Sequence, residues 1–140
     1  MMMSYGNVYV AQVCMGADNN QVVKALLEAE SYKGPSIVIA YSTCINHGID
    51  MSNGIAQAKK AVEAGYWPLY RYDPRLKEKG ENPFRLDSKD PQGSYREFIE
   101  SENRYASLKK AEPETAEVLF TRAEAEAKER LENYKKKAGK

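Results

Sequence analysis

Two apolar runs separated by a segment with helical periodicity constrain the fold of this 140-residue chain more than any other feature. The first run, residues 7–15 (NVYVAQVCM), is rich in β-branched and aromatic residues, and the second is residues 36–42 (SIVIAYS). Both predict buried strands. Between them, residues 18–31 carry apolar side chains at helical spacing, with Gly34-Pro35 as the stop. The pattern predicts a parallel β-α-β unit with a right-handed crossover.

The segments after this unit continue the alternation of strand and helix. Residues 36–42 are apolar on both faces, which predicts a strand covered by helices on each side. We expect a second helix over residues 52–64 and a third strand over residues 66–72, where Pro68 favours an edge position or the start of the strand. The helical side chains predicted to face the core are Val22, Val23, Leu26, Leu27, Ala29, Ile55, Ala56, Ala58, Ala61 and Val62.

The last third of the chain is helical and strongly charged. After a short extended piece at residues 82–88, residues 95–110 predict one or two short helices, and a final helix begins at Pro113 and runs to about Lys137. Residues 112–140 contain seven Glu and seven Lys or Arg, so this helix should pack through a narrow apolar stripe while its other face stays in water. The stripe is Ala116, Phe120, Ala123, Ala127, Leu131 and Tyr134.

Together these elements predict an α/β fold: a three-layer, parallel β-α-β-α-β domain over residues 1–90, followed by a helical tail over residues 91–140. The formal net charge of +1 gives no electrostatic attraction for nucleic acid or an anionic membrane. The longest apolar run is too short to span a bilayer, and no signal peptide is recognisable. Two cysteines without a disulfide framework favour a reducing compartment, so we expect a cytoplasmic protein.

Common cofactor and catalytic motifs are absent from the sequence. Without GxGxxG or a Gly-Lys-Ser/Thr loop, dinucleotide binding and P-loop NTPase activity are poor hypotheses. The single histidine, His47, excludes HExxH and any two-histidine zinc site within one chain. Ser42, His47 and Asp50 can be written as a triad, but three residues so close together in one loop rarely converge on one point.

The candidate site is the loop that leaves the carboxyl end of the second strand, residues 43–50 (TCINHGID). A free cysteine beside a core strand, such as Cys44, is usually a small apolar packing residue. A reactive thiolate assisted by His47, or a cluster ligand, are the alternatives. We interpret Cys14, inside the first strand, as a packing residue and His47 alone as a loop hydrogen-bonding residue.

Five blocks of the sequence resemble, in this order, the carboxyl-terminal part of pyruvate:ferredoxin (flavodoxin) oxidoreductase, at the end of its thiamine-diphosphate-binding domain. The blocks are YGNVYVAQVCMGADNNQ, GPSIVIAYSTCINHGI, KKAVEAGYWPLYRYDP, NPFRLDSKDP and ENRYASL. The resemblance covers roughly residues 3–120. It implies a long, usually dimeric parent enzyme of anaerobic metabolism. That enzyme decarboxylates pyruvate on thiamine diphosphate and magnesium, makes acetyl-CoA, and passes electrons through iron-sulfur clusters to ferredoxin or flavodoxin.

The resemblance also implies a role for the candidate loop. In the family, the cysteine of the block matching STCINHG is the fourth ligand of the [4Fe-4S] cluster nearest the thiamine diphosphate. The matching residue is Cys44, and Asn46, His47 and Gly48 would lie near the cluster. The other three ligands, the GDG diphosphate and magnesium motif, and the CoA and substrate domains lie upstream in the family and have no match here. We therefore expect a chain that donates one ligand, binds no cofactor alone and is inactive alone.

The partners implied are the rest of the parent oxidoreductase and, through it, ferredoxin or flavodoxin. A half-sheet without its upstream strands has an unpaired edge, so we also expect a homo-oligomer. The alternative is a non-enzymatic interaction module that assembles through its long charged helix. The opening MMMSYG is close to internal sequence of the family, and a cloned fragment, a truncated reading frame and a separate subunit all stay open.

Overall fold

The computed structural model describes residues 1–139 as one mixed sheet with helices on both faces. The strands, in the sheet order β2-β1-β3-β4, are β1 (Tyr9–Val13), β2 (Ser36–Ala40), β3 (Tyr70–Tyr72) and β4 (Phe84–Leu86). The helices are α1 (Asn19–Ser31), α2 (Gly54–Glu63), α3 (Arg75–Glu78), α4 (Tyr95–Glu100), α5 (Asn103–Ala111) and α6 (Pro113–Ala138). The predicted α/β class, the helices on both sheet faces and the helical tail are confirmed.

The first β-α-β unit forms as predicted. Strands β1 and β2 are parallel, with Val13 opposite Ala40 at their carboxyl ends. Helix α1 begins after Asp18, whose carboxylate accepts a hydrogen bond from the backbone N–H of Gln21 at 2.9 Å. This cap satisfies one of the free N–H groups of the first turn.

The third strand departs from the predicted parallel series. Strand β3 runs antiparallel to β1, with Val10 opposite Tyr72, and β4 runs antiparallel to β3. The reason lies after α2: the Trp67 indole N–H donates to the Val13 carbonyl at 3.0 Å, so the chain returns beside the carboxyl end of β1 and enters β3 from that end. Strand β3 also lies between β1 and β4 rather than at an edge, and Pro68 stands just before it.

Helix α6 closes one side of the sheet. Its Leu131 is buried in a cluster with Tyr70 of β3 and Phe84 of β4, and the Tyr134 ring stacks on Phe84 with centroids 5.7 Å apart. Nearer its start, Phe120 is buried among α4, α5 and the end of α2. The predicted stripe is confirmed, since four of its members are buried and Ala123 and Tyr134 are half-buried.

The part of the sheet around β2, at the edge opposite to β4, is less covered than the sequence predicts. Strand β2 is an edge strand, and helix α1 packs only on the face that carries Val38. On the other face of β2, Ile37 is half-buried against the cluster that contains Leu131, but Ile39 is exposed, so the predicted cover on both faces is only partly confirmed. The predicted core residues Val23, Leu26 and Leu27 are 56%, 53% and 60% exposed.

Two further predicted core residues, Ile55 and Ala56 of α2, are also exposed. An apolar side chain stays exposed where no other element of the chain lies over it, however regular its spacing. We call the exposed side chains of α1 (Val23, Leu26, Leu27), together with the free edge of β2, the open face.

A buried ion-pair network lies on the α1 side of β3. The Arg71 guanidinium donates to Asp87 through Nε at 2.8 Å and to Glu28 through Nη1 at 2.6 Å. The hydrogen bonds to Asp87 raise the pKa of Arg71 more than burial lowers it. Glu28 also accepts from the Tyr9 hydroxyl. Since these charges are paired within the chain, the network is structural.

Among the helices of residues 1–139, none combines the length and apolarity needed to cross a membrane.

Candidate functional site

The loop between β2 and α2 lies where the two parallel strands end. The Tyr41 N–H donates to the Val13 carbonyl at 3.0 Å, which extends the β1–β2 ladder by one residue before the chain leaves the sheet. The loop then folds into two short 3-10 turns, Ile45–His47 and Met51–Asn53. Gly48 ends the first turn in the left-handed conformation, with φ 72°. The loop is therefore ordered by turns anchored on the sheet.

Cys44 opens the first of these turns. Its carbonyl accepts from the His47 N–H at 2.9 Å, and its side chain is a free, exposed thiol. Four large apolar side chains of the segments at this end of the sheet are also exposed, and we call them the apolar rim: Met15 after β1, Ile45 and Met51 in the loop, and Ile55 in the first turn of α2. Cys44 thus belongs to a loop whose large apolar side chains, Ile45 and Met51, are exposed as well.

The second cysteine has a different environment. Cys14 is buried, and its thiol donates to the Ala58 carbonyl at 3.6 Å. Burial raises the pKa of the Cys14 thiol above its ordinary value. A buried protonated thiol bonded to a carbonyl is a packing group, in agreement with the interpretation from the sequence.

The structure does not bring Ser42, His47 and Asp50 together as a triad. The Ser42 hydroxyl donates to the Thr43 carbonyl at 3.3 Å. The Asp50 carboxylate accepts from the Ser52 N–H at 2.9 Å, and this hydrogen bond lowers the pKa of Asp50. His47 turns instead towards Glu102, with Nδ1 and Oε1 3.6 Å apart. The nucleophile and the acid of a triad therefore have other roles here.

Glu102 is the residue of this site that the sequence analysis missed. Its side chain is fully buried between α4 and α5, with Arg104 Nε donating to Oε2 at 2.7 Å and the Tyr41 hydroxyl donating to Oε1 at 3.4 Å. Burial and the nearby Glu102 charge raise the pKa of Tyr41. The only sequence signal is a Glu followed two residues later by Arg in a segment that otherwise predicts helix, and such a pattern is common on exposed surfaces.

The loop can supply one metal-binding thiolate and no complete site. Within the part of the chain that the structure describes, no group of three His, Cys, Asp or Glu side chains is placed to hold a metal ion. Iron-sulfur clusters are held by four protein ligands, mostly cysteine thiolates, and the free, exposed thiol of Cys44 could supply one of them. Asn46 is exposed beside it, with His47 and Gly48 following in the same loop.

Comparison with known proteins places these features in a family context. No family model matches the chain. The chain is 63% identical over 138 residues to "Pyruvate:ferredoxin oxidoreductase" of Moorella thermoacetica. It is 58% and 53% identical to "Pyruvate-flavodoxin oxidoreductase" of Enterobacter agglomerans and of Klebsiella pneumoniae.

Each of these three matches covers 99% of the chain but only 12% of the relative. The chain therefore spans about an eighth of the length of these curated relatives. Over nearly its whole length, the chain is similar to one short segment of pyruvate:ferredoxin and pyruvate-flavodoxin oxidoreductases, which confirms the resemblance carried by the five sequence blocks.

Proposed function

We propose that this chain works as one segment of a pyruvate:ferredoxin or pyruvate-flavodoxin oxidoreductase, in which Cys44 donates one thiolate to a [4Fe-4S] cluster. The observation that carries the proposal is an exposed free thiol at the joint end of β1 and β2, in a chain 63% identical to 12% of such an enzyme. Four protein ligands hold a cluster of this kind. The other ligands must therefore come from polypeptide outside this segment, and the segment alone is inactive.

The surroundings of Cys44 support a site that other polypeptide completes. The exposed apolar rim (Met15, Ile45, Met51, Ile55) would lose its contact with water when covered. A dry apolar shell and nearby backbone N–H groups are the means by which a protein tunes a cluster's reduction potential. When bound, the cluster would carry single electrons. In this chain, Cys44 would hold it and the loop Asn46–Gly48 would border it.

The proposed reaction of the whole enzyme is the oxidative decarboxylation of pyruvate. The bond between C1 and C2 breaks and C1 leaves as CO₂. The acetyl group replaces the thiol proton of CoA, that proton is released, and two electrons leave singly for ferredoxin or flavodoxin. Thiamine diphosphate with magnesium would stabilise the carbanion left by CO₂. The sequence has no GDG motif, so we assign this cofactor to the remaining polypeptide.

Iron and sulfide content tests the role of Cys44. The chain and a longer protein that adds the segments found upstream in the relatives are both purified anaerobically. We expect iron only in the longer protein, and we expect Cys44→Ser there to lose one cluster's iron and its electron paramagnetic resonance signal. Cys14→Ser is the matched control and should keep both. A longer Cys44→Ser protein with full iron and an unchanged signal would refute the proposal.

The open face supports a partner for this segment. Strand β2 has an unpaired edge, and helix α1, which packs on β1 and β2, carries the exposed side chains Val23, Leu26 and Leu27. Unpaired edges and contiguous apolar patches mark interaction surfaces. We propose that the rest of the oxidoreductase covers the open face and that the isolated chain self-associates through it. A monomer by light scattering at high concentration would contradict the second statement.

The alternative function, an interaction module that assembles through α6, is less well supported. Its apolar stripe packs on the chain's own α5 and sheet, and only Val118 and Leu119 remain as large exposed apolar residues on that helix. Deletion of α6 would separate the two functions, because the module requires loss of assembly with an intact sheet. Two free cysteines, one of them exposed, favour the reducing cytoplasm as the location.

A further inference from the structure

We propose that Glu102 is a positioning residue for the loop that carries Cys44, and that it acts by holding the loop through Tyr41 and His47 on either side of the cysteine. Tyr41 precedes Cys44 by three residues and His47 follows it by three. Both side chains point to the same carboxylate oxygen: the Tyr41 hydroxyl donates to Oε1 of Glu102 at 3.4 Å, and Nδ1 of His47 lies 3.6 Å from it. The inference rests on the proposed function only for what Cys44 binds. The positioning is a property of this chain.

The two carboxylate oxygens of Glu102 face different partners. Burying a carboxylate is unfavourable unless a partner compensates its charge. Arg104 supplies that partner, with Nε 2.7 Å and Nη2 2.6 Å from Oε2. The guanidinium is in turn held by the Tyr66 hydroxyl at 3.2 Å and lies over the Tyr105 ring. Oε2 is thereby anchored to the helical part of the chain, and Oε1 is left facing the loop.

His47 supplies the contact on the loop side. Its Nδ1 atom is buried and has no hydrogen-bond partner, while Oε1 of Glu102 is 3.6 Å away. Buried polar atoms in proteins are nearly always paired, and an N–H···O bond needs a separation of about 2.7–3.2 Å. A shift of a few tenths of an ångström pairs Nδ1–H with Oε1. The carboxylate would then fix the orientation of the imidazole and with it the 3-10 turn that Cys44 opens.

The backbone makes a second contact at the same place. A Cβ built on Gly48 would lie 2.3 Å from Cβ of Asn103, the residue that follows Glu102. Gly48 also has φ 72°, a conformation that side chains with a Cβ rarely adopt. The loop backbone therefore lies directly against the first residue of α5. Two adjacent residues, Glu102 and Asn103, hold two adjacent loop residues, His47 and Gly48.

Hydrogen exchange and thiol alkylation on the chain itself test this role without any cluster. We expect Glu102→Gln to speed backbone amide exchange in residues 43–48 and to change the rate of Cys44 alkylation by iodoacetamide several-fold. Exchange in β1 and β3 should stay as in the wild type. The matched control is Glu100→Gln, which removes a carboxylate paired with Arg96 and Lys109 at the end of α4, and it should change neither measurement in the loop.

A second pair of variants keeps the test decisive if Glu102→Gln folds poorly. His47→Ala removes the loop side of the contact, whereas the Asn side chain in His47→Asn can place an N–H near the position of Nδ1. We expect fast loop exchange in His47→Ala and partial recovery in His47→Asn. Loop exchange at the wild-type rate in His47→Ala, or equal rates in the two variants, would overturn the positioning role.

The outcome is separable from that of the proposed function. If the loop loosens in these variants while the longer protein binds iron without Cys44, Glu102 positions the loop but the ligand assignment fails. If Cys44 is needed for iron and the loop is unaffected by Glu102→Gln, the ligand assignment holds and the positioning role fails. An exchange increase spread evenly over β1, β3 and the loop would mean general destabilisation and would also overturn it.

Discussion

The two edges of the sheet differ in how the chain covers them. At the β4 edge, the three-residue strand lies under α6, whose Leu131 and Tyr134 pack against Tyr70 and Phe84. At the β2 edge, a five-residue strand pairs with β1 on one side only, and Leu26 and Leu27 of the neighbouring helix are exposed. Both edges are apolar in sequence. The difference is that this chain contains a helix, α6, that packs over β4, whereas no further strand of residues 1–139 pairs with β2.

The difference distinguishes apolar side chains that stabilise the folded chain from apolar side chains that the chain leaves exposed. An apolar group contributes to folding only by the area it loses to water within the chain. The same kind of residue should therefore matter greatly for stability where α6 packs on the rest of the chain and little near β2. Four substitutions test this contrast, from the largest expected effect to the smallest.

Phe120→Ala should give the largest loss of stability. Phe120 is buried against Tyr105 and below the Arg96 guanidinium. Removing a buried Phe side chain costs about 3–5 kcal/mol, because the neighbouring groups only partly fill the cavity. Urea unfolding followed by circular dichroism measures the change. Leu119→Ala, at the exposed neighbour on the same helix, is the control, and an equal loss there would abolish the contrast.

Tyr70→Phe should reduce the loss of folding stability at alkaline pH. Burial, with a smaller contribution from Tyr134, raises the pKa of Tyr70 to about 12. The folded state therefore binds the phenol proton more tightly than the unfolded state, and stability falls as pH rises from about 10 to about 12, by up to roughly 3 kcal/mol.

The phenylalanine variant lacks this proton and should lose less stability over that pH range. Urea unfolding at pH 8, 10 and 11.5 measures the difference. Tyr5→Phe, at an exposed tyrosine, should follow the wild type. The interpretation of Tyr70 fails if both variants lose stability equally.

Asp18→Ala should have a moderate effect, although α1 belongs to the open face. Its carboxylate caps the helix whether or not a partner covers Leu26 and Leu27. Loss of such a cap costs about 1 kcal/mol. The matched control is Asn20→Ala, at an exposed residue two positions after Asp18 in the first turn of α1. It should change the free energy of unfolding by less. An unchanged free energy of unfolding in Asp18→Ala would mean that the cap does not stabilise α1.

Leu27→Ala should have the smallest effect on stability and a visible effect on association. The side chain is exposed in the isolated chain, so the free energy of unfolding should change by no more than about 0.5 kcal/mol. Self-association by light scattering should weaken, because the open face loses apolar area. Leu119→Ala, exposed on α6, should not alter association. A destabilisation as large as that of Phe120→Ala would show that the chain itself covers the open face.

Several local features of the fold follow directly from the sequence. The β1-α1-β2 unit and the stripe of α6 are local patterns, and each appears where its spacing predicts it. The direction of β3 could not be predicted this way. It depends on a contact between Trp67 and the carbonyl of Val13, 54 residues earlier in the chain.

For the candidate site, the sequence by itself determined the loop, the presence of Cys44 in it and the family to which its blocks are similar. Only the tertiary structure decided that Cys44 is exposed, that β2 is an edge and that Glu102 is buried beside the loop. The physical reason is the range of the interactions. Spacing along a helix or strand shows which side of it is apolar. Burial depends instead on which other element packs against that side. That element can be distant in sequence, as Tyr41 and Glu102 are, 61 residues apart.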